Sequence, residues 1–219
     1  GDLIQGQKII ICVGGHARTL AFPGAEHALT HSDVWRLDRL PESVAIVGGG
    51  ATGCQLASVL DAFGSRVTLM DIAPRILLTE DDDVAGLMQK EFAASGIELR
   101  LGISGINRID KQADGLRLNY QQGDEERLLD VSAVILSVGW PGNLDGLGLD
   151  KAGVETERGY IKVDDHLRTN VPTIYAAGDI TGKMMLVQSA SSQARVAAEN
   201  AVLGAQSSVV HSLVPHGGF

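Results

Sequence analysis

IVGGGATGCQLA, residues Ile46 to Ala57, sets a run of glycines between a β-branched segment and a helical one. Upstream, SVAIVGG reads as a short buried strand bounded by turn signals. Downstream, Ala51–Phe63 carries Leu56, Val59, Leu60 and Phe63 at helical spacing, and Gly64 stands where such a helix closes. RVTLMD, Arg66–Asp71, supplies the next strand and ends on an acid.

Gly48, Gly50 and Gly53 fit G-x-G-x-x-G in strand–turn–helix–strand context. The first glycine permits the tight turn, the second leaves room for a pyrophosphate, and the third lets helix and strand pack closely. Free N–H groups at the helix N-terminus, where Ala51 and Thr52 stand, carry roughly half a positive charge and suit phosphates. Asp71 lies at the separation at which an acid accepts the hydroxyls of an adenosine ribose. A 2′-phosphate 4 Å from that carboxylate would be repelled by about 4 kcal/mol at an effective dielectric near 20, so NAD(H) is favoured over NADP(H). Arg75 is the complication, because a guanidinium beside the pocket would offset that repulsion.

The remaining chain is α/β in pattern. Lys8–Gly15 (KIIICVGG) reads as a short buried strand, followed by a polar, Pro-containing connector. Asp81–Ser95 reads as a helix, with acids at its N-terminus and Gly96 just beyond it. IELRLG is a strand. Ile106–Val131 alternates around ADG and GDEE turns as an antiparallel meander, and Ala133–Gly139 returns to a buried strand. Thr173–Asp179 (TIYAAGD) is a buried strand ending at Gly-Asp, and a helix covers about Gln188 to Leu203.

The net charge of −9 over 219 residues, with no Lys/Arg cluster, argues against a nucleic-acid partner. No apolar run reaches the roughly 20 residues of a membrane span. GDLIQGQK does not read as a signal peptide, so the expected compartment is the cytoplasm. Cys12 and Cys54 belong to no C-x-x-C motif and are expected to be packing residues; the six histidines show no metal-ligand spacing. No catalytic acid, base or nucleophile stands out.

VAIVGGGATGCQLASVLDAFGSRVTLMDIAPRIL, EDDDVAGLMQKEFAASGIEL, VILSVGWPGN and GVETERGYIKVDDHLRTNVPTIYAAGD, in that order, resemble the pyridine nucleotide–disulfide oxidoreductases over nearly the whole chain. The resemblance implies a Rossmann-like NAD(P)-binding domain with a β-meander, inserted in part of an FAD-binding domain of the same type. The expected boundaries are residues 1–40 for the N-side arm of the FAD domain, 41–140 for the NAD(H) domain and 141–219 for the C-side part. It implies that Asp179 accepts a hydrogen bond from the flavin's ribityl chain, and that Met184–Ala190, with Met185 and Leu186, lies near the flavin ring. Gly14 and Gly139, at the ends of the first strand and of Ala133–Gly139, are further expected cofactor positions. Without the resemblance, Met185 would read simply as core.

The family's FAD fingerprint, its C-x-x-x-x-C pair and its C-terminal dimer domain, which carries the catalytic His and Glu, have no counterpart in this sequence. The resemblance thus implies a fragment that is inactive alone, from a homodimeric parent passing hydride from NADH to FAD and electrons onward to a disulfide or other acceptor. Matched positions depart from the family in four places. Gln55 replaces a common Glu, Ala51 a bulky gating residue and Trp140 a common Arg, while CVGG replaces an Ala-Thr-Gly strand end. Two other readings stay open: an NADH oxidase or ferredoxin reductase type of flavoprotein without a redox disulfide, and a non-catalytic NADH-binding redox sensor. A stand-alone nicotinamide dehydrogenase would need a Tyr/Lys or His arrangement that the sequence does not show.

Overall fold

A computed structural model describes residues 4–210, 214, 215 and 217; the expectations resting on the extreme ends of the chain lie outside the described residues. In chain order the elements are β1 (Ile9–Ile11), β2 (Leu29–Thr30), α1 (His31–Val34), β3 (Ser43–Val47), α2 (Ala51–Ala62), β4 (Arg66–Asp71), α3 (Asp82–Ser95) and β5 (Glu98–Leu101). There follow β6 (Gly105–Gln112), β7 (Gly115–Gln122), β8 (Glu125–Val131), β9 (Ala133–Leu136), α4 (Leu149–Ala152), β10 (Thr156–Glu157), β11 (Tyr160–Ile161), β12 (Ile174–Ala176) and α5 (Val187–Leu203). They form two compact units: Ala17–Gly139, and the two flanks Gly1–His16 with Trp140–Gly217.

In the first unit a five-stranded sheet runs β2-β9-β3-β4-β5, with every neighbouring pair parallel. Side chains alternate across a strand, so β3 feeds two cores. Val44 and Ile46 pack with Leu56, Leu60 and Phe92 from the helices. Ala45 and Val47 pack with Ile109, Leu118, Tyr120 and Val131 from the β6-β7-β8 meander, which is antiparallel as its turn signals require. Burial on both faces explains why SVAIV and AVIL read as unbroken apolar runs. Gly96, in the left-handed conformation, caps α3, while Asp82 and Asp83 occupy its first turn.

In the second unit β1 pairs in parallel with β12, and β10 with β11 in a small hairpin. Tyr175 and Ala177 meet Leu167 and, from α5, Val196, Ala197 and Ala201. Ile174 and Ala176 face a second cluster of Leu149, Val154, Ile161 and Ile180.

Several expectations are corrected. The polar connector carries elements of its own: Leu29 and Thr30 pair with Ile135 and Leu136, and a one-turn helix follows. The compact unit therefore begins at Ala17, ahead of residue 41, because β2 is the outer strand of its sheet. Lys8–Gly15 is not a buried strand. Only three residues are extended, Ile9 is 51% exposed, and among the described residues β12 is its sole partner in the sheet. Cys12 is accordingly exposed rather than packed, whereas Cys54 is in the core. Phe63, expected on the buried face of α2, is the C-cap residue beyond its last turn and is solvent-exposed.

Candidate dinucleotide sites

The glycine turn leaves the end of β3, and each glycine answers a different contact. Gly48 has φ +114°, and a Cβ there would come 2.1 Å from the Ser137 carbonyl oxygen. Its N–H is donated to Met70 O at 2.7 Å, which ties the turn to β4. At Gly53 a Cβ would fall 1.8 Å from Gly48 O, while the nearest strand side chain, Ile46, stands 3.7 Å away. The third glycine thus protects the turn's own backbone before it protects helix–strand packing. At Gly50, the N-cap of α2, a Cβ would meet nothing within 4 Å, and no side chain caps the helix. The N-terminal turn that begins with Ala51 and Thr52, both exposed, therefore faces open space.

Gly49, which the motif did not single out, ties the glycine turn to Asp71. Its N–H donates to Asp71 Oδ2 at 2.5 Å, and Ala73 N–H donates to Oδ1 at 2.7 Å. A Cβ at Gly49 would lie 3.0 Å from Ile76 Cγ2 and 3.2 Å from Asp71 Oδ2. The carboxylate is thus clamped at both oxygens by backbone donors. A carboxylate has about four lone-pair sites, so one remains on each oxygen for a ligand hydroxyl.

Arg75 is placed elsewhere. Its guanidinium donates to Leu77 O at 2.8 Å and Glu80 O at 3.0 Å, and it pairs with Asp82 at 3.0 Å. It therefore laces the loop that joins β4 to α3. That loop carries Leu77 in a left-handed conformation, φ +51°, held by Leu77 N–H donating to Gly49 O at 2.8 Å. Such a backbone costs about 1–3 kcal/mol in a non-glycine residue, and the two attachments hold it against the glycine turn. Gly139 lies beyond β9 with φ +128°; its carbonyl accepts from Arg18 N–H at 3.0 Å, and a Cβ there would come 3.1 Å from Arg18 Nε. Arg18 carried no sequence signal.

Neither cysteine is set up as a nucleophile. Burial, with the Asp71 charge adding to it, pushes the Cys54 thiol up to about 12, and its Sγ points at Gly49 O, 3.4 Å away. Burial also raises the Cys12 thiol, partly offset by a hydrogen bond from the Ala177 backbone.

In the other unit β12 delivers Gly178, with φ +81° and ψ −157°, and then Asp179, which opens a single 3-10 turn ending at Thr181. Gln193 of α5, fully buried, anchors the turn: its Oε1 accepts from Gly178 N–H at 2.8 Å and from the Thr181 hydroxyl at 3.3 Å. Trp140 Nε1 donates to Asp179 Oδ2 at 3.0 Å. Gly14 follows β1 with φ +66°, and its carbonyl accepts from Asn143 N–H at 3.0 Å. Met185 is 41% exposed, so its alternative reading as core does not hold; Leu186 is the N-cap of α5. Gln193 had no motif around it, and Trp140 stood out only as a departure from the resemblance.

The family model for pyridine nucleotide-disulphide oxidoreductase matches residues 1–194. The dihydrolipoyl dehydrogenase of Chlamydia muridarum is 38% identical over 221 aligned residues, which cover 98% of this chain and 46% of the relative. The Bacillus subtilis enzyme of the same name is 33% identical, over 91% of this chain and 43% of its own. Among solved structures, LpdA from Mycobacterium tuberculosis superposes with a TM-score of 0.83 at 30% identity, covering 93% of this chain and 44% of that one. RclA from Escherichia coli, an HOCl-induced flavoprotein disulfide reductase, gives 0.84 at 26% identity, covering 95% and 47%. The chain spans about half the length of the curated relatives it matches. The expected α/β architecture with its parallel sheet is that of these flavoproteins. Because the match runs through both units and not through the glycine turn alone, the chain belongs to the pyridine nucleotide-disulphide oxidoreductase family.

Proposed function

We propose that the Ala17–Gly139 unit binds NAD(H) and that the flanking unit contributes to an FAD site. The whole protein would be an FAD-dependent oxidoreductase of the dihydrolipoyl dehydrogenase type, working as a homodimer. The observation that carries the dinucleotide assignment is the bare N-terminus of α2: no side chain caps it, and the space at Gly50 is open. An uncapped helix start of this kind suits a pyrophosphate. Asp71 adds the second contact, because its clamped carboxylate is pre-set for ribose hydroxyls and repels a 2′-phosphate. Arg75, spent on loop carbonyls and Asp82, is not arranged to relieve that repulsion.

When bound, the nicotinamide supplies a hydride that the flavin takes up. The residues of this chain bind and orient. Gly50, Ala51, Thr52 and Gly53 receive the pyrophosphate, Asp71 fixes the adenosine end, and Gly139 closes the far side of the NAD(H) site. Gly14, Asp179, Met185 and Leu186 serve the flavin, with Asp179 presenting a carboxylate oxygen to its ribityl chain. The test is calorimetric titration of the protein with NADH and NADPH. NADH should bind more tightly, and Asp71→Ala should weaken NADH and narrow the gap. Equal or reversed preference in the unaltered protein would remove Asp71 from the ribose pocket.

A further inference from the structure

Two departures from the family pattern, the glycine-ended CVGG and the tryptophan in place of a common arginine, meet in space. A Cβ at Gly15 would lie 2.6 Å from the Pro141 carbonyl oxygen, 2.6 Å from Trp140 Nε1 and 2.7 Å from its Cδ1. Glycine at 15 is therefore what allows the indole to rest against the backbone. On its other connection, the Trp140 carbonyl accepts the Tyr160 hydroxyl at 2.9 Å. The Tyr160 ring occupies the space that a Cβ at Gly182 would need, 2.4 Å away. Gly182 is the cap of the turn that begins at Asp179, so two glycines and two aromatic rings bracket that aspartate. The indole N–H reaches Asp179 Oδ2, and among the described residues no other side chain bonds this carboxylate. Gln193 meanwhile accepts the Gly178 N–H before it and the Thr181 hydroxyl after it.

We propose that Trp140 is a positioning residue for Asp179, with Gly15 as the residue that admits it. The indole holds Oδ2 and leaves Oδ1 for a ligand hydroxyl. An indole N–H is a neutral donor, so it orients the carboxylate without neutralising it, as an arginine would. The inference rests on the reading of Asp179 as the flavin-side carboxylate.

The test uses the full-length flavoprotein that carries this chain, stripped of FAD and titrated with it. Trp140→Phe should weaken FAD about tenfold, the scale of one hydrogen bond to a charged group, with NADH affinity unchanged. Gly15→Ala, which crowds both the indole and the Pro141 carbonyl, should weaken FAD in the same direction. A readout indifferent to general packing is the indole N–H hydrogen-bond band in ultraviolet resonance Raman, which should shift in Asp179→Ala. If Asp179→Ala weakens FAD while Trp140→Phe binds it as before, the positioning role is wrong and the flavin reading stands. Normal FAD binding by Asp179→Ala would remove both. Should Trp140→Phe fail to fold, the Raman band decides alone, and an unshifted band overturns the proposal.

Discussion

Gly50 and Gly53 lie three residues apart in one motif, yet the same substitution should act on them in opposite ways. At Gly53, inside α2, alanine is intrinsically the better helix former by about 1 kcal/mol. Propensity alone therefore predicts a gain. The new Cβ, however, would stand 1.8 Å from Gly48 O, a backbone atom, so the contact must open by roughly an ångström. Gly48 cannot yield easily: its N–H is bonded to Met70 O, and its own Cα faces Ser137 O. Overpacking of this kind costs about 1–3 kcal/mol or more, so Gly53→Ala should lose about 2 kcal/mol despite its better propensity. At Gly50 the backbone is extended, φ −75° and ψ −177°, and the neighbourhood is open. Alanine there should change stability by less than about 1 kcal/mol, since the loss of an N-cap glycine and the lower freedom of the unfolded chain nearly cancel. Gly50→Val should stay folded but lose NADH, because its branches occupy the proposed pyrophosphate position. Urea midpoints at unchanged slope, with NADH titration, read both effects. A stabilised Gly53→Ala, or a Gly50→Val that binds NADH normally, would refute the steric reasoning.

Leu77→Gly relieves the φ +51° backbone but strips a half-buried side chain packed on the core, so stability should change by less than about 1 kcal/mol; a larger shift of the urea midpoint in either direction would show that strain and packing do not balance. The thiols should differ in their pH dependence. Cys54 ionises near 9 when unfolded but only at about 12 when folded, so the folded state holds the extra proton and stability contributed below pH 9 is lost as pH climbs toward 12. Urea midpoints should fall more steeply over that range in the unaltered protein than in Cys54→Ala, and parallel slopes would contradict the buried thiol. Iodoacetamide at pH 8 should mark the exposed Cys12 and spare Cys54 until the chain unfolds; mass spectrometry of the alkylated peptides distinguishes them.

Local signals carried far in this chain. Gly64 and Gly96 stand just beyond α2 and α3, and the turns ADG and GDEE separate the three strands of the meander. Runs buried on both faces announced β3 and β9. Shorter elements gave no period to read: two extended residues, Leu29 and Thr30, cannot establish an alternation. One overlooked signal was available there. Thr30 and Asp33 have capping spacing, and the Asp33 carboxylate accepts both the Thr30 N–H and its hydroxyl, starting α1. The exposure of β1 is a different matter, since an apolar run states that a strand can be buried, not how many strands will cover it.

The least legible parts of the site are those in which a residue's chemistry is spent at long range. Arg75 looked like a cation beside a ribose pocket because it follows Asp71 by four positions. Spacing cannot reveal that four of the next five residues, Ile76, Leu77, Leu78 and Glu80, turn carbonyls toward it and that Asp82 takes its charge. Once they do, the guanidinium is a fastener for the loop and no longer a free counter-charge. The electrostatic balance at Asp71 then changes sign relative to the case in which Arg75 reaches a ligand. Two backbone N–H groups hold the carboxylate in place without cancelling its charge, and repulsion of a 2′-phosphate remains. The proposed preference for NAD(H) therefore needs both the Asp71 carboxylate and the loop carbonyls that keep Arg75 occupied.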